Sequence, residues 1–399
     1  MNRPEPTTPG LAALAPFFLS SFAWNFALGA TYILIPLFAH SLGMSGVEIG
    51  TLVAVPVVLQ IGLNLIGGAF SDRLGGKNLA MASCVMTVLA ALLFMVSKSF
   101  APIFVAQVMM ITARAMFWPA TWSMASQLPG ASGVQMGRLN AATNAGQIFG
   151  TASAGFIIAV SGYRAGFAAM AAAGLIALVL NQVFRHATRP QRKSLAMVAT
   201  YRMLLKKRSI RYAMLCAYIS ALPISLSFSF YPILMVEQGF DSDATGTLIS
   251  LRAVGAIAAG FVAGHFVRQV RSLRAPLTSA LLVGVSVALA AAFTQPALIA
   301  LFMLGLGAGS AIMTIYFQML ISVASSSDTR GSAMALGGMG WGLSHLTTPL
   351  LMGVFKDWLD IQTAFYIMGA IALLCGLALL PLRRWAFAEA APDHEQRPK

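Results

Sequence analysis

Charge is scarce in this sequence. Only 10% of its 399 residues are Asp, Glu, Lys or Arg, against roughly a quarter in an ordinary soluble domain. A chain that is 58% apolar cannot cover a water-facing surface with the polar groups that remain. Acidic residues are the scarcer sign, twelve against 26 basic ones, for a formal charge of +14. Cysteine is scarce too: Cys84, Cys216 and Cys375 fall in three separate apolar runs, so no disulfide framework or thiolate metal site is encoded. There is no metal-spaced His/Cys cluster, no nucleophile elbow and no phosphate-binding Gly-Lys-Ser/Thr loop, which argues against an enzyme and against ATP-driven transport within the chain. No cofactor and no metal are expected.

What the sequence has instead is long apolar runs. A bilayer core of about 30 Å needs about 20 apolar residues per helix, and such runs recur at 14–38, 46–70, 78–97, 101–124, 138–161, 163–185, 212–236, 244–267, 275–294, 296–321, 331–355 and 362–382. The expectation is an all-α membrane protein of twelve transmembrane helices. The first run is too long for a signal-peptide core and carries Pro16 and Asn25, so it reads as a helix that stays.

One long polar stretch divides the twelve. Residues 185–211 hold Arg189, Arg192, Lys193, Arg202, Lys206, Lys207 and Arg208, and read as a basic linker between a six-helix half at 1–184 and a second at 212–399. Leu195, Met197, Val198, Tyr201, Leu204 and Leu205 interleave with these bases, the pattern of an amphipathic helix lying on a membrane. An even number of spans puts both termini on one side. Twenty-one of the 26 bases fall there, Lys98, Arg164 and Lys356 fall opposite, and Arg114 and Arg252 fall inside spans. The positive-inside rule makes the basic side cytoplasmic. The excess charge is thus a topology signal, and a nucleic-acid partner is dropped.

The halves repeat. A shift of 196 lays Gly43 on Gly239, Gly50-Thr51-Leu52 on Gly246-Thr247-Leu248, and Gly68 on Gly264. Internal repeats of this kind mark secondary transporters with a solute site near the midplane.

Between the second and third helices, Gly68, Asp72, Arg73, Gly75 and Lys77 fit G-x-x-x-D-R-x-G-x-K. The pattern resembles the cytoplasmic loop signature of the major facilitator superfamily, and the resemblance extends over the whole chain. It implies two pseudo-symmetric halves working by alternating access, with this loop latching the cytoplasmic side. Asp72 would sit at the positive end of the third helix. The second half departs from the pattern: Gly264 is kept, but Arg268 and Gln269 replace the Asp-Arg pair. In the fifth helix Gly146, Gly150 and Gly155 lack the proline of the superfamily's antiporter signature, and close packing explains them more simply.

Ionisable groups at membrane depth mark function. Arg114 lies roughly 20 Å along the fourth helix at 1.5 Å per residue. It is read as a ligand for an anionic or strongly polar group, or else as a structural charge bonded to Asn140, Asn144 or Gln147. Arg252, a turn or two into the eighth helix, either contacts solute or pairs at the rim with Glu237, Asp241 or Asp243. His345, one turn from Trp341, is the candidate proton carrier or a neutral packing histidine. No carboxylate lies deep in a span. The resemblance places the first, fourth, seventh and tenth helices around the cavity, and Trp24, Asn25, Tyr218 and Tyr316 on them join Trp341 as candidate substrate-binding residues, with Tyr32, Gln60, Asn64, Ser225, Ser229 and Gln318 as further polar or aromatic candidates; packing is the alternative reading of each.

The expected protein is therefore a monomeric secondary transporter of the bacterial inner membrane, both termini cytoplasmic. Its partners would be a small solute, a proton or other coupling ion, and lipid. Efflux of a drug, sugar or metabolite such as a siderophore is the leading expectation. Import or exchange of organic anions is the alternative.

Overall fold

The computed structural model describes residues 11–129, 132–184, 197–266, 272–326 and 330–387. Among them are thirteen helices and no strand. They run α1 (Leu11–Ser41), α2 (Gly46–Leu74), α3 (Gly76–Val96), α4 (Phe100–Ser126), α5 (Ser132–Val183), α6 (Met197–Lys206), α7 (Arg208–Ser227), α8 (Tyr231–Glu237), α9 (Ser242–Phe266), α10 (Arg274–Ala292), α11 (Pro296–Ala324), α12 (Arg330–Trp358) and α13 (Ile361–Phe387). At 52 residues α5 is twice the span length, and Gly162 (φ 76°, ψ 179°) breaks it where the sequence expects two helices. With α5 counted twice, α7 and α8 counted once, and α6 set aside, the described helices make twelve spans.

The seventh span differs from its expected form. It is not one helix over 212–236 but two, α7 and α8, separated by a turn at 228–230. Pro232 is the physical reason: it has no N–H to offer the carbonyl of residue 228, and its ring crowds that carbonyl. The amphipathic stretch of the linker forms α6. Leu204 is fully buried there, while Lys207 Nζ bonds the Ala324 carbonyl at 3.1 Å.

The expected loop between the second and third helices is nearly gone. α2 continues through Leu74, so Asp72 and Arg73 occupy its last turn, and Gly75 alone (φ 77°) turns the chain into α3. A residue with a side chain would be strained at that angle. Gly68 falls within α2, and the side chains of Asp72 and Arg73 lie outside the described residues. Lys77 does not: its Nζ donates to the carbonyls of Gln182 (3.1 Å) and Phe184 (2.6 Å). A cation thereby serves the carbonyl-rich end of α5.

The described residues pack as two units. The first holds those within Met1–Lys193 together with Leu226–Ala253 and Pro349–Trp358; the second holds the rest. In the first unit α1 crosses α5 at backbone distance, since a Cβ at Gly29, Gly146 or Gly150 would meet the carbonyls of Gln147, Phe22 and Phe26. Thr151 Oγ1 donates to the Gly29 carbonyl at 3.0 Å across the same contact. In the second unit Tyr212, Cys216, Tyr316, Phe317, Leu320 and Leu379 form the core.

The repeat is visible in hydrogen bonds. Before α2, Gly43 (φ 75°) donates to His40 and Met44 to Ala39; before α9, Gly239 (φ 90°) donates to Val236 and Phe240 to Met235. Each of these residues is the other's counterpart under the shift of 196. The duplicated sequence encodes one helix-ending turn twice.

Candidate functional site

Two helical stripes build a cleft in the first unit. Leu28, Thr31, Tyr32 and Ile35 of α1 stand at i, i+3, i+4 and i+7, and so do Gln107, Met110, Ile111 and Arg114 of α4. That spacing places each set on one helix face. Phe228, released by the break before α8, completes the lining. Its ring meets that of Tyr32 at 5.7 Å. One rung along the same two faces, Trp24 and Phe117 stack at 3.8 Å and 5° and close that end of the cleft.

The cleft is apolar except for a few groups. Arg114 lies at the middle of α4, about 20 Å from either end. It makes no hydrogen bond to Asn140, Asn144 or Gln147, and its Nε is buried without a partner among the described residues. Gln147 instead donates to Asn25 Oδ1 at 3.0 Å. Gln107 is 6% exposed with its Oε1 equally unserved, whereas Thr31 is tied back to the Leu28 carbonyl.

Arg252 is deeper than the sequence suggests. α9 begins at Ser242, which places Arg252 about 15 Å along it, and the residue is 8% exposed. The rim ion pair does not form: Glu237 pairs with Lys356 at 3.4 Å, and among the described residues no carboxylate meets Arg252. Its Nε has no hydrogen-bond partner among the described residues. Arg114 and Arg252 each keep a buried Nε with no hydrogen-bond partner among the described residues, a costly arrangement at membrane depth.

The remaining candidates divide between packing and the second unit. Asn25 is buried at the α1/α5 crossing, where Nδ2 also bonds the Ser21 carbonyl. Tyr316 sits in the second core. Tyr218 shares a 2.9 Å hydrogen bond with Thr347, and Trp341 donates to Ser220 Oγ at 2.8 Å. His345 is buried beside the Trp341 ring, with Nδ1 2.7 Å from Ser225 Oγ. Ser225 has one hydroxyl proton, and it donates to the Ala221 carbonyl at 3.0 Å. The structure brings Arg114 and Tyr32 into one cleft that Arg252 does not line; Tyr218, Trp341 and His345 all lie in the second unit.

A second feature lies at the opposite ends of the helices from the Gly75 turn. Asp357, near the end of α12, accepts from the backbone N–H of Gly46 at 2.6 Å and of Val47 at 2.8 Å. Ser45 and Glu48 exchange the two bonds of a capping box. Between them these three side chains occupy the free N–H groups at the start of α2. The backbones are as close: a Cβ on Gly46 would stand 2.6 Å from the Gly353 carbonyl, and one on Gly246 would stand 2.8 Å from the Thr151 carbonyl. The second of these is the counterpart crossing of α9 on α5.

Gln107, Phe228 and Asp357 escaped the reading of the sequence. Gln107 had a usable signal, since it stands seven residues before Arg114. Ser45-x-x-Glu48 was also a legible helix start. Phe228 and Asp357 had none, because partners more than 190 residues away give them their places.

The protein family described as Major Facilitator Superfamily matches residues 17–241 and 213–399. Quinolone resistance protein NorA of Staphylococcus aureus is 24% identical over 161 residues, 40% of this chain and 41% of the relative. The chain spans about two fifths of the length of the curated relatives it matches. Among solved structures, the nucleoside transporter NupG superposes with a TM-score of 0.79 at 13% identity, covering 93% of this chain and 98% of that one. A bacterial homolog of the human lysosomal transporter Spinster gives 0.74 at 15% identity, over 98% and 99% of the two chains. A POT family transporter in complex with 5-aminolevulinic acid gives 0.75 at 12% identity, over 94% and 96%. These likenesses are of fold.

Proposed function

The chain belongs to the Major Facilitator Superfamily, and on that premise we propose that it is a secondary transporter whose solute carries an anionic group seated at Arg114. The observation that carries this is an arginine at the middle of α4, lining a cleft and meeting no hydrogen-bonding or acidic partner among the described residues. A fixed cation in apolar surroundings needs a partner, and no residue of the cleft is acidic. An acidic drug or metabolite supplies one; a neutral sugar does not. This favours the organic-anion reading of the solute.

Outward movement is supported by the NorA relative, whose name describes resistance to a drug. The halves at 1–184 and 212–399 would rock about the site, with 185–211 allowing the motion, in a bacterial inner membrane with both termini cytoplasmic. A proton would be the coupling ion and His345 its carrier. Support for this is the burial of His345 among spans that hold no deep carboxylate.

The test is uptake of radiolabelled aromatic and aliphatic acids into proteoliposomes. Arg114→Gln should cut transport at low solute concentration by about tenfold or more, the scale of a charge-assisted hydrogen bond. Equal transport by the variant would remove Arg114 from the site. Solute-driven proton movement should vanish in His345→Ala, and its persistence there would assign coupling elsewhere.

A further inference from the structure

At one end of the second unit, two cations share one aromatic ring. The guanidinium carbon of Arg208 lies 5.3 Å from the centre of the Trp385 ring, and that of Arg211 lies 4.7 Å from it. The two charges therefore stand within about one Debye length of each other, roughly 10 Å in 0.1 M salt, and repel. The negative face of the indole offsets part of that cost. The start of α7 adds to it, because both arginines belong to the first turn, where the helix end is itself positive. None of α6, α7 and α13 contains an Asp or Glu. Arg211 gives one N–H to the Lys206 carbonyl at 3.4 Å, and a fork of five donors has more to offer.

Packing fixes this pair at the edge of the bilayer. α7 and α13 are spans; Arg208 opens the first, and Trp385 stands two residues before the end of the second. An indole at a span end belongs at the level of the lipid headgroups. α6 is held to the same place. Leu204 is buried in the second core, Tyr201, Trp385 and Phe387 pack against that core, and Lys207 Nζ reaches the Ala324 carbonyl at the end of α11. Met203 and Leu205 project about 100° to either side of Leu204 and are 49% and 36% exposed. A free phosphate could use the two cations alone, whereas a phospholipid uses the cations and the apolar flank together.

We infer that this end of the unit is a binding site for an anionic phospholipid. Arg208 and Arg211 hold the phosphate, Trp385 keeps the two guanidinium groups in place, and the exposed flank of α6 lies against the upper part of the acyl chains. The site is separate from the cleft at Arg114 and does not depend on which solute that cleft takes.

The experiment is native mass spectrometry of the full-length protein in detergent, titrated with phosphatidylglycerol or with phosphatidylcholine of the same acyl chains. The parent should bind phosphatidylglycerol about tenfold or more tightly, since each base near an anionic headgroup is worth about fivefold. Arg208→Gln and Arg211→Gln should each lower that preference about fivefold. Trp385→Leu leaves the charge unchanged and should lower it about threefold, while Trp385→Phe, which keeps a ring, should retain most of it. Arg384→Gln removes an exposed base next to Trp385 in the chain and should alter the preference less than about twofold.

Equal binding of the two lipids by the parent would overturn the inference. An Arg384→Gln effect as large as that of Arg211→Gln would do so as well, by showing a diffuse charged surface in place of a site. Unchanged preference in a monodisperse Trp385→Leu variant would take the ring out of it; where that variant fails to fold, the arginine variants decide. Displacement of the lipid by an equal concentration of glycerol 1-phosphate would make a free phosphate the ligand. If the preference emerges only after Glu389→Gln, Asp393→Asn and Glu395→Gln are made together, the chain's own acidic residues are the occupant and the lipid is not.

Discussion

A lysine at position 114 would keep the charge and lose the fork. The arginine's planar group offers several donors in a fixed array, whereas an ammonium is a mobile and strongly hydrated point. Arg114→Lys should therefore raise KM for an anionic solute by about tenfold with a smaller effect on the maximal rate, and a transport assay over a range of concentrations separates the two. A similar change in both would mean the side chain matters to the conformational step instead. Most residue-scale features were legible as types without being legible as partners. The deep arginines stood out because so few charges occur in the spans. That Arg114 would ignore Asn140 and Asn144, and that Gln147 would turn to Asn25, depended on how α5 is rotated against α1. Trp24 illustrates the same limit: aromatic and well placed on its helix, it is spent in a stack with Phe117 that closes the cleft.

Among the elements, helix ends and helix crossings carry the specific chemistry. Asp357 joins α12 to the start of α2, and a neutral amide there would keep one bond and lose the attraction of a carboxylate for a helix N-terminus. Because the group is exposed, the effect is modest. Asp357→Asn should shift the balance toward the state in which these ends part by a factor of about five or less. Labelling of a cysteine placed at Val47, compared in parent and variant, reads that shift; no change in labelling rate would show the contact to be incidental.

Gly150 offers a harsher case, since a side chain there would strike the Phe26 carbonyl. Gly150→Leu should force α1 and α5 apart and lower the melting temperature in detergent by several degrees, as overpacking costs about 1–3 kcal/mol. Asp360 caps α13, accepting the Thr363 hydroxyl at 2.6 Å and its N–H at 2.9 Å, and these bonds hold its carboxyl below the usual carboxylate range. The cap is present above the ordinary aspartate value and is lost as pH falls through the lowered one. Exchange of the Thr363 amide should therefore stay slow at a pH where a free aspartate is already half protonated, near 4.

For the whole molecule, orientation is the testable property. Twenty-one bases on one face predict that a cysteine replacing Lys206 reacts only with reagent admitted to the cytoplasm, and one replacing Trp358 only with reagent outside. The reverse pattern would invert the assignment of direction as well. Packing does not follow the division into halves that the sequence invites. Segments Leu226–Ala253 and Pro349–Trp358 group with the N-terminal residues, drawn there by the Asp357 cap and the paired glycine crossings. Nothing local in those segments announces this.

The sequence by itself determined that the chain is helical and lies in a membrane, how many times it crosses, how its bases are shared among the connecting segments, and that it is built twice. Each of these follows from properties that need no partner: the length of apolar runs, the placement of bases between them, and the recurrence of one turn at a fixed interval. It also determined that two arginines would be the costly residues. The tertiary structure decided what those arginines meet. A helix face is set by spacing, but which face opposes it depends on crossings made where glycine lets backbones touch and on a break at Pro232 that sends Phe228 into the cleft. Those contacts join residues far apart in the chain, and their geometry exists only once the helices have packed.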